Sequence, residues 1–285
     1  MPISAVVLAD SVGDHAPRLT TFELELPRFL LAQFNTHRKI SKNAASSRAI
    51  PLRRRVAMIL GDTVMPVRWG KDQPGMVADE EIDPTVRVPL DGEEVELSAE
   101  EAWLTARDGA IRAARHLDRI GVHKEVVNRI LEPFSYVRVV ATSAGYANLF
   151  HLRLHEDAQP EFRALAGAMR AALDASEPRK LAPGEWHLPY VSEELPPDVA
   201  RMVSAARCAR VSYKTHDGRT PPLDEDIALF GRLVGNGTIH ASPMEHQATP
   251  DRKLLNGEWA SPGLHGNLTG WCQFRKTLAG EFVPG

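Results

Sequence analysis

The chain has only two cysteines among its 285 residues, Cys208 and Cys272. They are far apart and form no CxxC pair, so neither a disulfide framework nor a cysteine-based zinc site is indicated. No apolar run approaches the ~20 residues of a membrane helix. The N-terminal MPISAVVLAD has no basic region ahead of a signal-length apolar core, and the protein is read as cytoplasmic. An excess of positive charge is missing too. Lys and Arg number 34 against 37 Asp and Glu, for a net charge of -3. That balance disfavours generic binding of duplex nucleic acid but leaves room for a local basic pocket. No long charge run marks a disordered tail. With 43% hydrophobic and 25% charged residues, the chain reads as soluble and globular, either one large domain or two closely associated ones.

What the chain does have is a concentrated polar stretch, QFNTHRKISKNAASSRAIP, from Gln33 to Pro51. His37, Arg38, Ser41, Asn43, Ser46, Ser47 and Arg48 are separated mainly by small residues. This is a poor core segment. Its imidazole, guanidinium, hydroxyl and amide groups suit a phosphorylated heterocycle, because Arg presents a planar fork to phosphate or carbonyl oxygens. The competing reading is a solvated loop with an N-cap serine.

Around it, Ala5 to Ala9 and Thr21 to Leu26 are predicted strands, the second with Phe22, Leu24 and Leu26 on one face. Asp10 to Pro17 is the predicted turn, and Phe29 to Asn35 a buried helix opened by Pro27. Residues 52 to 97, with RRR at 53 to 55, WGKDQPGM at 69 to 76 and DEEID at 79 to 83, read as an irregular insertion or lid. Ser98 and Glu101 form a capping box for a helix that runs to Gly121. Lys124 to Leu131 is a short helix stopping near Pro133, and Tyr136 to Ala141 is either extended or the entry to a helix. Asn148 to His155 and Pro160 to Leu173 are helical, with Asp157 as the expected N-cap of the second. Ala182 to Pro197 reads as a surface linker. Beyond it, Asp198 to Arg210 and Asp224 to Val234 are helical, the latter stopped by Gly235 to Gly237, and Val211 to Tyr213 is extended. The last 35 residues show no readable pattern.

Three separated stretches resemble the flavin-dependent thymidylate synthases, the ThyX family. THRKISKNAASSR at 36 to 48 is similar to the family signature RHRxxSxNxxSxR, with Thr36 in place of its first Arg and Ala44 in place of an acidic residue. GVHKEVVNRILEP, NLFHLRL and AQPEFR, between Gly121 and Arg163, look like the family's helical region. AARCARVSY at 205 to 213 and IHASPMEH at 239 to 246 resemble its AARVSY and H-x-[ST]-P-x-E-H elements. In the family these last elements precede the signature, whereas here they follow it. That order suggests a circular permutation, allowed where old termini are close and the new break falls in an exposed loop.

The resemblance implies an α/β fold with a ThyX-like mixed sheet and a helical region. Residues 1–181 would hold the strand, signature and helices, 182–197 the linker, and 198–285 a displaced segment completing the same fold. Glu245 and His246 should then return toward Thr21 to Leu26. The implied activity is reductive C5-methylation of a deoxypyrimidine monophosphate, dUMP by family default. It uses methylenetetrahydrofolate, FAD and NADPH in a homotetramer without membrane attachment.

Carried over position by position, Arg153 matches the Arg at the pyrimidine ring, and Arg153 and Ser46 form the catalytic set. Gln33, Ser46, Ser47, Arg48 and Arg129 join Arg153 around the substrate. His37, Arg38, Asn43, Asn148, Ser212, Ser242 and Glu245 match positions around FAD. Thr36 and Ala44 keep a dCMP methylase or hydroxymethylase in view, with Arg53, Arg54 or Arg55 as substitutes for the missing charge. A flavin-free nucleotide- or nucleic-acid-binding protein is the reading from another class. Arg153 could also pair with Glu156, and Arg129 could cap its helix. His151 and His155, four apart, could share a metal, but no HExxH glutamate accompanies them, and polar packing is the preferred reading.

Overall fold

Strong alternation at Phe22, Leu24 and Leu26 produces a strand with one face fully buried. In the computed structural model, which describes residues 3–82, 85–90, 92–211, 215, 218–235 and 239–281, it pairs antiparallel with the strand before it. These are β1 (Ser4–Val12) and β2 (Leu19–Pro27). After Pro27 a 3-10 turn leads into the short α1 (Leu31–Asn35), and the polar stretch continues into β3 (Ser41–Ala44). Next come α2 (Leu52–Gly61), the hairpin of β4 (Thr85–Leu90) and β5 (Glu93–Ser98), the long α3 (Ala99–Arg119), and α4 (Lys124–Val127). The chain then forms β6 (Tyr136–Ser143), α5 (Ala147–Arg153), α6 (Pro160–Asp174) and β7 (Arg179–Lys180). α7 (Pro197–Arg210), α8 (Leu223–Val234), β8 (Ala248–Pro250) and β9 (Trp271–Gln273) follow.

The main sheet has the order β3-β6-β2-β1-β7. Its strands are antiparallel except for the β1–β7 pair, so the sheet is mixed and the fold is α/β, as expected. One face, carrying Phe22, Leu24, Val137 and Val139, packs on Leu149, Phe150, Phe162, Leu165 and Met169 of α5 and α6. Full burial of such side chains contributes about 1.5–3 kcal/mol each. The other face presents Val140 to Tyr190, Cys208 and Val211.

Several local expectations change. Residues 52 to 97 are more ordered than their composition suggests. α2 sets Leu52, Val56 and Ile59 against Ile111 and Ala114 of α3 and against Leu131, a stripe hidden in the sequence by the RRR run. Tyr136 to Ala141 is extended. Ser98 and Glu101 do form a capping box, and Gly121 adopts φ 85 just past α3. Asp157 does not cap α6. Gln159 holds that place without a side-chain capping bond, and Pro160 supplies the preset φ of the first turn. Val211 ends α7 in the left-handed region, φ 54, so it is not extended, and Ser212 and Tyr213 lie outside the described residues. The Pro- and Glu-rich stretch 182–197 is anchored by buried His187 and Tyr190, and His187 bridges to Ala248. The C-terminal residues form the β8–β9 ribbon, with Trp271 fully buried.

Candidate functional site

The polar stretch is shaped by its own side chains. Thr36 Oγ1 donates to the Gln33 carbonyl at 2.8 Å, closing α1 where the family pattern has an arginine. Lys42 Nζ donates to the carbonyls of His37 (2.7 Å) and Phe34 (3.3 Å), a second donor for each at and just beyond the C-terminal end of α1. Burial lowers the Lys42 pKa to about 8, against the opposing pull of Glu245. Buried Ile40 and Ser41 pin the loop below, and β3 pairs with β6 through Ser41 opposite Thr142 and Asn43 opposite Val140.

Arg153, at the end of α5, reaches back to this loop. Its Nε donates to His37 Nε2 at 3.1 Å, and its guanidinium lies 4.5 Å from the Phe162 ring centre. The edge of His37 meets the same ring at 5.6 Å. Burial, with Arg153 and Lys42 nearby, lowers the His37 pKa, which keeps the imidazole neutral and able to accept from Arg153. The proton then sits on Nδ1.

On the opposite sheet face, Ser11 and His187 Nδ1 share a hydrogen bond of 2.9 Å, and His187 Nε2 meets Thr21 Oγ1 at 2.7 Å. Thr21 meets Thr142 at 2.6 Å, and Thr142 meets His246 Nδ1 at 2.8 Å. His246 Nε2 is 3.4 Å from the Asn43 side chain. With its amide nitrogen turned toward Ser242, Asn43 donates to the Ser242 Oγ (3.3 Å) and carbonyl (3.3 Å) and to the Lys42 carbonyl (3.1 Å). Glu245 pairs with Arg275.

Sequence reasoning missed the second support of the loop. Asn267 Nδ2 donates to the Lys39 carbonyl (3.1 Å) and to Ser41 Oγ (3.0 Å), while Gln273 Nε2 donates to Asn267 Oδ1 (3.0 Å) and the Glu245 carbonyl (3.0 Å). They lie in a stretch without periodicity and carried no local signal.

The structure thus brings His37 to Arg153, and Asn43 to Ser242 with Glu245 close by. Arg38 and Asn148 are exposed, and Gln33 is half-buried with an Oε1 that meets no donor among the described residues. Ser46 accepts from the Arg48 backbone N–H at 3.3 Å, and both residues are exposed. Ser47 is buried and its carbonyl accepts from Asn128 Nδ2 at 2.8 Å. Arg129 pairs with Glu132 at 3.1 Å. Among the described residues no hydrogen bond or ion pair links Ser46, Arg48 or Arg129 to Arg153 within one chain. Ser212 lies outside the described residues.

His151 and His155 do not share a helix face, because α5 ends at Arg153 and His155 Nδ1 accepts from the Asp157 N–H at 3.2 Å. Asp251, His265 and Cys272 offer ligand atoms within 4.8 Å of one another. Both His265 nitrogens are engaged, however. Nε2 donates to Asp251 Oδ2 (2.9 Å) and Nδ1 accepts from the Gly270 N–H (3.1 Å). Burial raises the Cys272 pKa to about 11, so its thiol stays protonated. The cluster is a satisfied structural knot.

No curated protein matches the chain. Solved structures with a partial likeness to it include two thymidylate synthases. One is Thymidylate Synthase X from Helicobacter pylori with FAD and dUMP, 17% identical over 54% of this chain and 67% of that one, TM-score 0.38. The other is the flavin-dependent thymidylate synthase ThyX from the same organism, complexed with FAD and dUMP, with the same identity and coverage and a TM-score of 0.37. The family model for thymidylate synthase complementing protein matches residues 10–179, from β1 through the polar stretch and Arg153 to the start of β7. By that match, over more than half its length, the chain belongs to the thymidylate synthase complementing protein family.

Proposed function

We propose that the protein catalyses FAD-dependent reductive C5-methylation of a deoxypyrimidine monophosphate, dUMP in the first instance, with methylenetetrahydrofolate as one-carbon donor and NADPH as reductant. The observation that carries this reading is the bond from Arg153 Nε to His37 Nε2, which joins two family motifs 116 residues apart. A guanidinium held through Nε and braced on Phe162 keeps both terminal nitrogens for a ring oxygen, where it stabilises charge developing on the pyrimidine. The unmet Gln33 Oε1 suits a ring N–H. Arg48 and Arg129 hold the phosphate, with Ser46 and Ser47 beside them.

The donor set also fits FAD. The exposed Arg38 guanidinium and Asn148 amide suit its phosphates and polar edges, with His37, Asn43, Ser212, Ser242 and Glu245 completing the group. When bound, FAD supplies hydride chemistry that no side chain here can provide. The chain's own work is to grip an anionic nucleotide, orient its ring and exclude water.

The site is shared between copies in a homotetramer, as the family resemblance implies. The contact of His246 with Thr142, one strand from β2, supports the circular permutation, with 198–285 completing the fold of 1–181.

Titration of the purified protein with FAD tests the reading. Flavin absorbance saturating near one equivalent per chain is expected, and protein that never takes up FAD would favour the flavin-free binding protein instead.

A further inference from the structure

The C-terminal ribbon brings an arginine to Glu245. Ala248 in β8 lies opposite Gln273 in β9, and the Phe274 N–H donates to the Gln247 carbonyl at 2.9 Å, so the residues just before β8 run beside those just after β9. Phe274 is buried with Met244 and Phe230, its ring stacked on that of Phe230 at 5.9 Å, which fixes the backbone around it. Arg275 follows within a 3-10 turn (Phe274–Thr277), and Glu245 ends another (Ser242–Glu245).

Glu245 is held at both its main chain and its side chain. Gln273 Nε2 donates to its carbonyl at 3.0 Å, and Arg275 Nη1 donates to its Oε1. Arg275 is clamped in turn. Its Nε donates to Glu281 Oε2 at 2.9 Å, while Lys276 Nζ donates to Glu281 Oε1 at 2.7 Å. Burial opposes the Arg275 charge, but its bonds to Glu245 and Glu281 outweigh that and raise its pKa, so the guanidinium stays charged. The two side chains are 30% and 19% exposed, which shields the pair from the screening that weakens surface bridges.

This arrangement leaves Glu245 Oε2 with no donor among the described residues. A carboxylate only accepts, so that oxygen suits an N–H or O–H of a ligand. The carboxylate also lies near the polar loop. Its charge acts on Lys42, and Asn43 donates to Ser242 at the start of the same turn.

We propose that Arg275 is a positioning residue for the cofactor site, fixing Glu245 Oε1 so that Oε2 is aimed at an N–H or O–H of FAD. The proposal rests on the FAD reading above and adds a residue outside the three stretches that carry the family resemblance.

FAD titration of the full-length protein and its variants, followed by flavin absorbance, tests it. Arg275→Met should weaken FAD binding about tenfold, as for loss of one charge-assisted hydrogen bond, and Glu245→Gln should do the same. Because Arg275 acts through Glu245, adding Arg275→Met to Glu245→Gln should cost little more, whereas a purely structural role predicts losses that add. Arg275→Lys keeps a cation beside Glu245 and should recover part of the affinity. Glu281→Gln loosens Arg275 from its other side, should weaken FAD binding less than Arg275→Met, and keeps the test open if that variant does not fold. FAD affinity unchanged by Arg275→Met, or by Glu281→Gln should the former not fold, would overturn the proposal alone. So would additive losses in the double variant, or equal weakening by Arg275→Met and Arg275→Lys. Wild-type protein that takes up no FAD would overturn it together with the enzymatic reading.

Discussion

His246 Nδ1 lies 2.8 Å from Thr142 Oγ1, so a residue from the C-terminal segment closes a line of hydrogen bonds that began at Ser11 on β1. The line crosses the sheet through His187, Thr21 and Thr142 and ends beside Asn43 in the polar loop. Its two imidazoles are buried, and burial pushes both pKa values down to about 3. They are therefore neutral links, able to donate at one nitrogen and accept at the other.

Acid should break this line. An unfolded histidine takes up its proton near 6.5 and the folded ones near 3, so between those values the unfolded chain binds more protons. The contribution is fully present above about pH 6.5 and falls as pH drops, by about 1.4 kcal/mol per pH unit for each histidine. Urea unfolding between pH 7 and 4.5 should show this slope, and His246→Gln should reduce it by one proton. An unchanged slope would mean that His246 is not buried neutral.

Asn267→Ala should loosen the loop from its C-terminal support. The Lys39 carbonyl, Ser41 and Gln273 each lose a partner. The loss should be about 1 kcal/mol in denaturant unfolding, with faster amide exchange across 37–43. Exchange rates that stay the same would show that β3 holds the loop without help.

Arg153→Ala should keep FAD but lower kcat by about 10²–10³-fold, because its proposed task is at the substrate ring. Arg153→Lys should restore little, since a point charge reproduces neither the bond to His37 nor the planar contact with Phe162. Loss of flavin with nucleotide binding intact would place Arg153 at the cofactor instead.

The Asp251 knot should be indifferent to chelators, as both nitrogens of His265 are already engaged by Asp251 and Gly270. Asp251→Ala removes the acceptor of His265 and of the Ser261 and Arg252 N–H groups, and should cost about 2–3 kcal/mol. A melting temperature that falls on treatment with a chelator would contradict this.

The strands and long helices were legible where one periodicity dominated, as in Phe22, Leu24 and Leu26 or in the Ser98 capping box. α2 was not, because Arg53 to Arg55 mask its apolar stripe and Arg55 is buried against the usual preference of its type. The cap of α6 was misplaced because Asp157 looks like a cap, while Pro160 two residues after Ala158 sets the start instead. At the site, the loop and Arg153 could be found from motif likeness, but their contact could not, since it spans 116 residues and depends on how α5 leaves the sheet. Asn267 and Gln273 carried no local signal at all. Their role comes from where the C-terminal ribbon is folded.

The proposed reaction is methylation of dUMP at C5. Its most direct test incubates the protein with reduced FAD and methylenetetrahydrofolate, supplies dUMP or dCMP, and identifies the nucleotide product by mass. Conversion of dUMP to dTMP is predicted. A methyl or hydroxymethyl group gained by dCMP alone, or neither nucleotide altered, would contradict it.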